Sequence, residues 1–299
     1  MLSLIVNPSS GGGRAGRLLA GVRSALDAHG LEHHVDLTRS LDHARELARA
    51  AAAAGETAVA FGGDGLIGAV AGALSDGDGT LGVLPGGRGN DFARVLGIPA
   101  DPVAACAVLA TGVTRRVDLG QAGEATFIGI ASCGFDSEAN RIANQTRLVR
   151  GNLVYTYGGL RALLSWKPAD FSLRLDGEPV KLRGYTVALA NSAAYGGGMF
   201  MAPGASLDDG LLDIVLIAEQ SRWQFLRHLP KVFRGEHVHL DAVSVLRARE
   251  VEVRADRRFT MYADGDPIAE LPVTVTVRPA AVRVIVPHGA LGSAPDAAP

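Results

Sequence analysis

Three times in its first hundred residues the chain passes from a short apolar run into a glycine-rich turn and then into a helix-like stretch. The turns are Asn7-Pro8-Ser9-Ser10-Gly11-Gly12-Gly13-Arg14, Gly62-Gly63-Asp64-Gly65 and Gly86-Gly87-Arg88-Gly89-Asn90-Asp91. Uninterrupted apolar runs mark strands buried on both faces, and parallel strands need a crossover helix between them. This half of the chain is therefore constrained to an open, mainly parallel sheet with helices on both faces. In such a sheet the turns line one carboxyl edge, where open α/β sheets bind ligands.

The rest of the rhythm agrees. Residues 2–6, 31–37, 58–61 and 81–84 read as strands, and 14–29, 42–54, 66–74 and 91–96 as helices. Leu18, Leu19, Val22 and Leu26 recur at helical spacing, and Gly30 and Gly55 stand where C-caps belong. Near Val117-Asp118 the period changes. Strand-like segments then dominate at 171–175, 185–190, 211–217, 238–245, 251–253, 259–262 and 273–277, with Asp176-Gly177 and Asp209-Gly210 as turns. Helical stretches interrupt them at 137–147, 153–165 and 222–234. The fold class read from this is an α/β N-terminal domain with a doubly wound sheet over 1–117, then a β-rich second domain, a sandwich with helices, over 118–279. A last strand at about 280–287 is expected to return to the first domain, and the proline-containing tail 288–299 to be disordered.

The 299 residues suffice for two cores. A net charge of -2 excludes a protein-wide basic field for nucleic acid, so any attraction to an anionic membrane must be local. Two cysteines, Cys106 and Cys133, are too few for a disulfide framework. No uncharged apolar run is long enough to span a bilayer, and residues 1–7 lack the features of a signal peptide. The expectation is a cytoplasmic protein that touches a membrane, if at all, from one side.

Glycines let the backbone take positive φ and approach a ligand closely, and a following helix offers unpaired N–H groups to phosphate. Gly-Gly-Asp-Gly alone is equally compatible with a tight connection. The turns are neither a Walker loop, because no Gly-Lys-Ser/Thr follows, nor a dinucleotide fingerprint. Nor is there a Gly-x-Ser-x-Gly elbow, or histidines at metal-ligand spacing with cysteines.

Taken together and in order, Asn7-Pro8, Gly62-Gly63-Asp64-Gly65 and Asn90-Asp91-Phe92-Ala93-Arg94 resemble the diacylglycerol kinase catalytic-domain family of soluble bacterial lipid kinases. The resemblance continues through Pro203-Gly204-Ala205, Leu207-Asp208-Asp209-Gly210-Leu211-Leu212-Asp213 and Asp264-Gly265-Asp266, reaching about Pro287. It implies a fold like NAD kinases and diacylglycerol kinases, with ATP and Mg²⁺ at a cleft between the two domains. It implies a nucleotide site at Asn7, Thr38, Gly62, Gly63, Asp64, Gly65, Leu66, Ile67, Gly68 and Arg88. Asp64 and Asp91 match acids needed for activity. Asp266 takes the place of the family's general base, a glutamate in an Asp-Gly-Glu motif. A structural Mg²⁺ is implied at Ser206, Asp209 and Leu211, tied through water to Asp118. Two further departures stand beside the loops: Leu66 and Arg88 replace threonines, removing hydroxyls, although Arg88 can grip phosphate bidentately.

The resemblance implies ATP-dependent transfer to the hydroxyl of a membrane lipid such as diacylglycerol, and relatives that are often dimers leave a homodimer open. Two alternatives are a NAD kinase-like phosphotransferase, which shares Gly-Gly-Asp-Gly, and a catalytically weak nucleotide- or lipid-binding regulator, suggested by the threonine and glutamate replacements. Residues 222–234 mix arginines with bulky apolar groups, a composition suited to an interfacial helix on anionic lipid as well as to a packed one.

Overall fold

The computed structural model describes residues 1–135 and 166–290. The helices expected at 137–147 and 153–165, and the tail from 291, lie outside the described residues.

The α/β half is built as the turns require. Strands β1 (Leu2–Val6), β2 (His33–Leu37), β3 (Thr57–Gly62) and β4 (Thr80–Pro85) run parallel in the order β2-β1-β3-β4. β1, β3 and β4 are almost wholly buried, which is why they read as plain apolar runs. Helix α1 (Ser10–Ala28) packs with α5 (Pro102–Thr111), and α2 (Leu41–Ala53) with α3 (Asp64–Leu74), covering the two faces of the sheet. In α2 the Ser40 hydroxyl accepts from His43 N (3.1 Å), while Ala44, Ala48 and Ala51 form the buried stripe. Short helix α4 (Asp91–Val95) follows β4. Helix α5 lacks a polar face and so shows no amphipathic period; its visible signal is Asp101-Pro102, with the Asp101 carboxylate accepting from Val103 N (3.3 Å).

The second half begins with β5 (Val113–Ala122), β6 (Ala125–Phe127) and β7 (Ile130–Gly134). It continues through β8 (Ala169–Leu175), β9 (Glu178–Ala190), β10 (Leu212–Ala218), α6 (Arg222–Val232), β11 (Val243–Ala248), β12 (Glu250–Ala255), β13 (Thr260–Ala263), β14 (Asp266–Glu270) and β15 (Val273–Val286). β8 alternates buried and exposed without a break, as its sequence predicts. β7 is buried throughout, so it carries no alternation to read. The strand expected over 238–245 is instead a 3-10 turn, Glu236–His239, followed by β11. Gly235 at φ +69 turns the chain there, and the buried His237 ring lies 3.0 Å from the Met201 carbonyl oxygen, which fixes the turn.

Two buried cores result, one under the parallel strands and one among the antiparallel ones. β15 belongs to both. Its first residues pair antiparallel with β12, Val273 opposite Val253, and its last pair parallel with β4, Arg283 beside Thr80 and Val284 beside Leu81. β5 runs antiparallel along it, with the register shifting between Arg278 and Val282. The outermost hairpin, β13–β14, attaches through β7 and reaches back toward the carboxyl edge of the parallel strands.

Candidate active site

The three glycine turns interlock. The Ser10 hydroxyl accepts from Gly63 N (3.2 Å), and Gly86 N donates to the Gly62 carbonyl (2.7 Å). A methyl group on Gly87 would sit 2.5 Å from Gly63 Cα, so the second and third turns can touch only as glycines. Gly11, Gly12 and Gly13 have φ of +61°, +67° and +85°, a bend that ordinary residues strain to make. Asn90, itself at φ +52°, clamps the third turn: its Oδ1 accepts from Gly87 N (2.7 Å) and its Nδ2 donates to the Gly87 carbonyl (3.1 Å). α3 starts at Gly63 with no side-chain cap, so its first-turn N–H groups are left for the cleft.

Four carboxylates converge on that helix start. Asp64 accepts from Phe92 N (3.1 Å). Asp91 is paired with Arg94 and accepts from Gly197 N (2.7 Å), a backbone group of the β-rich half. Asp264 accepts from Ile128 N (2.9 Å) and Gly129 N (3.0 Å). The Asp266 carboxylate accepts no hydrogen bond among the described residues, and its Oδ2 lies 3.3 Å from where a Gly65 Cβ would be. A Cβ on Gly89 would meet Asp91 Oδ2 at 3.0 Å and Asp64 Oδ2 at 3.2 Å. The cradle therefore has room for backbone only.

The electrostatics reflect this crowding. Burial raises the pKa of Asp64, and the neighbouring Asp91 charge adds to it against the Phe92 amide. Asp264 is pushed up to about 7, first by burial and then by Asp64 and Asp266, although its two amide donors oppose the shift. Asp266 is open to solvent on one side, yet the cleft walls withdraw enough water to raise its pKa, with Arg45 pulling the other way. Repelling carboxylates facing a helix N-terminus make a place where a divalent cation with phosphate oxygens is favoured. Among the described residues, no group of three or more His, Cys, Asp or Glu side chains is arranged to hold a metal by itself.

The other expected nucleotide positions divide. Asn7 directly follows β1 and its side chain accepts from Ser9 N (3.0 Å); Thr38 directly follows β2 with its N–H on the Val6 carbonyl (2.8 Å). Arg88 is exposed at the tip of the third turn. Leu66 and Ile67 are buried in the α/β core, where the Leu66 side chain lies against Gly62, so their side chains support the turn from beneath. Gly68 faces Asp264 at 3.5 Å from its would-be Cβ.

The loop matched to the structural metal lies at the joint between the halves. Asp118 accepts from Gly210 N (2.7 Å) and Ala280 N (2.7 Å), and its own N–H donates to the Leu207 carbonyl (2.6 Å). Asp209 accepts from Leu211 N (3.0 Å), with Arg247 4.0 Å from its other oxygen, and Ser206 donates to Asp208 (2.6 Å). Burial, then the charges of Asp209 and Asp208, raise the pKa of Asp118. Hard oxygen donors with mutually repelling charges suit a hard cation here too.

Several contributors escape sequence reasoning. The amides of Ile128, Gly129 and Gly197 come from loops with no motif, and Arg45 lies on a helix whose pattern reports only packing. Arg94, three residues after Asp91 in a helical turn, was legible as an i,i+3 partner.

Comparison with known proteins now decides the family. A model of the diacylglycerol kinase catalytic domain matches residues 1–122, and one of the YegS C-terminal NAD kinase beta sandwich-like domain matches residues 129–286. The chain belongs to the diacylglycerol kinase family of lipid kinases. It is a phosphotransferase of that family. It is 37% identical to the diacylglycerol kinase of Mycobacterium tuberculosis over 297 residues, 96% of each chain. It is 32% identical to that of Bacillus subtilis over 276 residues, 90% of each. A YegS-like lipid kinase of Pseudomonas fluorescens is 35% identical over 277 residues, 89% of this chain and 91% of that one. The fold matches the crystal structure of a diacylglycerol kinase from Bacillus anthracis with a TM-score of 0.77, covering 97% of this chain and 98% of that one at 20% identity. No helix among the described residues is long and apolar enough to cross a membrane.

Proposed function

We propose that this lipid kinase transfers the γ-phosphoryl group of ATP to the hydroxyl of a membrane lipid, diacylglycerol being the first candidate, and does so as a peripheral protein. The observation that carries the reading is Asp266, a carboxylate free of hydrogen bonds among the described residues and set against the N-terminal turn of α3. When bound, ATP supplies the phosphoryl group, and Mg²⁺ neutralises charge on its phosphates.

The residues divide the work. Gly62, Gly63 and Gly65 admit the phosphates to the α3 N–H groups, and Asn7, Thr38 and Arg88 stand at the rim of the same edge. Asp64 and Asp91 would hold the cation together with phosphate oxygens and water. The lipid hydroxyl attacks phosphorus as Asp266 takes its proton; the new O–P bond forms while the bond to the leaving ADP breaks. Asp264, with one backbone amide on each oxygen, positions the turn that carries Asp266. A second cation would sit at the carbonyls of Ser206 and Leu211 with Asp209, steadied by Asp118. There it would tie the β-rich wall of the cleft to the domain joint.

The test is an assay of the purified protein with labelled ATP and Mg²⁺, offered diacylglycerol, sphingoid bases, phosphatidylglycerol or NAD in mixed micelles. Label in diacylglycerol supports the reading; label in NAD alone, or ATP binding without transfer, overturns it. Asp266→Asn should lower kcat about 1000-fold, within the range of a general base, with the fold unchanged by circular dichroism. Full activity in that variant would remove Asp266 from its role.

A further inference from the structure

The lipid-kinase reading leaves one part of the molecule unused. Residues 221–235 carry Arg222, Arg227, Lys231 and Arg234 and no aspartate or glutamate, in a chain whose net charge is -2. The segment is α6 with its flanks. It is firmly made: Ser221 and Gln224 form a capping box, with Gln224 N on the Ser221 hydroxyl (3.2 Å) and Ser221 N on the Gln224 side chain (3.1 Å).

Its inner face is fully accounted for. Phe225 stacks on Tyr185 at 4.8 Å between ring centroids and meets Phe135 edge-on at 4.8 Å, and Val232 is buried in the same core. Its outer face is not. Trp223 is 81% exposed, Phe233 52% and Leu229 39%. Trp223, Arg227 and Lys231 recur every four residues and make one stripe; the exposed Leu229 and Phe233 lie beside it, while Leu226 packs against the core. Among the described residues neither Arg227 nor Lys231 forms an ion pair, whereas Arg234 lies 3.9 Å from Glu236. An exposed tryptophan next to long basic side chains is poorly placed in water and well placed at a membrane surface. There the indole enters the interface, and the basic heads reach anionic phosphates along their aliphatic stems.

We infer that the outer face of α6 docks the enzyme on an anionic lipid surface, Trp223, Leu229 and Phe233 entering the interface and Arg227 and Lys231 binding headgroup phosphates. This rests on the lipid-kinase reading, which requires the acceptor to be reached in a bilayer. α6 is also joined to the cleft. Its Val232 carbonyl accepts from Phe200 N (3.0 Å), and residues 195–199 fold back through Tyr195–Met199 pairing to bring Gly197 N onto Asp91. The docking helix and an acid of the site thus share one short run of chain.

The experiment measures binding of the full chain to phosphatidylcholine vesicles with and without phosphatidylglycerol, by sedimentation and tryptophan emission. The two tryptophans report separately, Trp166 being buried and Trp223 exposed. Binding should require the anionic lipid and weaken with salt, and Trp223 emission should shift to the blue. Arg227→Gln with Lys231→Gln should weaken partition about 30-fold, roughly fivefold for each basic side chain near the surface. Equal binding to both vesicles, no binding, an unchanged Trp223 spectrum or an unaffected double variant would each overturn the inference. So would loss of self-association in Trp223→Ala, which would assign the face to a second copy. Transfer to a short-chain diacylglycerol in detergent micelles separates the two claims. The double variant should keep it, whereas its absence from the unmodified protein strikes at the kinase reading alone.

Discussion

Two hairpins in the β-rich half use the same pair of turn residues. Asp176-Gly177 joins β8 to β9, and Asp264-Gly265 joins β13 to β14. Both put aspartate and glycine at positive φ, 47° and 93° in one, 52° and 96° in the other, as a two-residue type I′ turn requires. Both aspartates accept from two consecutive backbone amides of another segment. Asp176 takes Arg249 N (3.0 Å) and Glu250 N (2.9 Å); Asp264 takes Ile128 N (2.9 Å) and Gly129 N (3.0 Å). The first turn is exposed, and its aspartate steadies a strand boundary. The second faces the start of α3 among three other acids, and there the same carboxylate is pushed up to about 7. Local chemistry makes the turn; what the topology sets opposite it makes a site.

Three substitutions or conditions sharpen the contrast. The largest difference is expected from Asp264→Ala. Releasing two amides would free the hairpin carrying Asp266, and a displacement of order 1 Å can cost about 100-fold in kcat/KM. Two buried donors left unsatisfied would cost about 1–3 kcal/mol each, read as a fall in the denaturant midpoint. If activity in micelles survives intact, Asp264 is not a positioning residue.

The second difference is in pH response. The folded-state pKa of Asp264, about 7, lies above its ordinary 3.8, so the folded protein holds this proton more tightly than the unfolded chain. Its contribution to stability is fully present below about pH 4 and is lost as pH rises through 7. Urea midpoints from pH 4 to 8 should show this falling component in the unmodified protein and in Asp176→Asn, but not in Asp264→Asn. The same slope in all three would assign it to other groups.

The smallest effect is expected from Asp176→Ala. Its amide partners lie at the surface, where water replaces the lost acceptor, so about 1 kcal/mol of stability and no kcat should be lost. A large fall in kcat would break the comparison.

The legibility of the chain follows the same line. The α/β half was readable because β1, β3 and β4 are continuous apolar runs and their turns must be glycine to touch. Asp64, Asp91 and Asp266 were visible because each belongs to a motif of the family. β7 was not, since complete burial erases alternation, and neither was the all-apolar α5. Nor could any pattern show that Asp264 holds the amides of Ile128 and Gly129, because those partners lie some 135 residues away. Leu66 shows the opposite case. Its replacement of threonine marks a departure in the sequence, yet its side chain is buried beneath the turn.

Strand β15 carries a consequence for how the molecule is made. The parallel sheet gains its neighbour on β4 only when Arg283 and Val284 arrive beside Thr80 and Leu81. During synthesis the α/β half therefore leaves the ribosome with an open edge, and nearly the whole β-rich half must be translated before that edge is covered. Such long-range closure slows folding and leaves the nascent chain exposed to misassembly. Removing the last dozen or so residues of the strand would damage not the terminus but the first domain to be made.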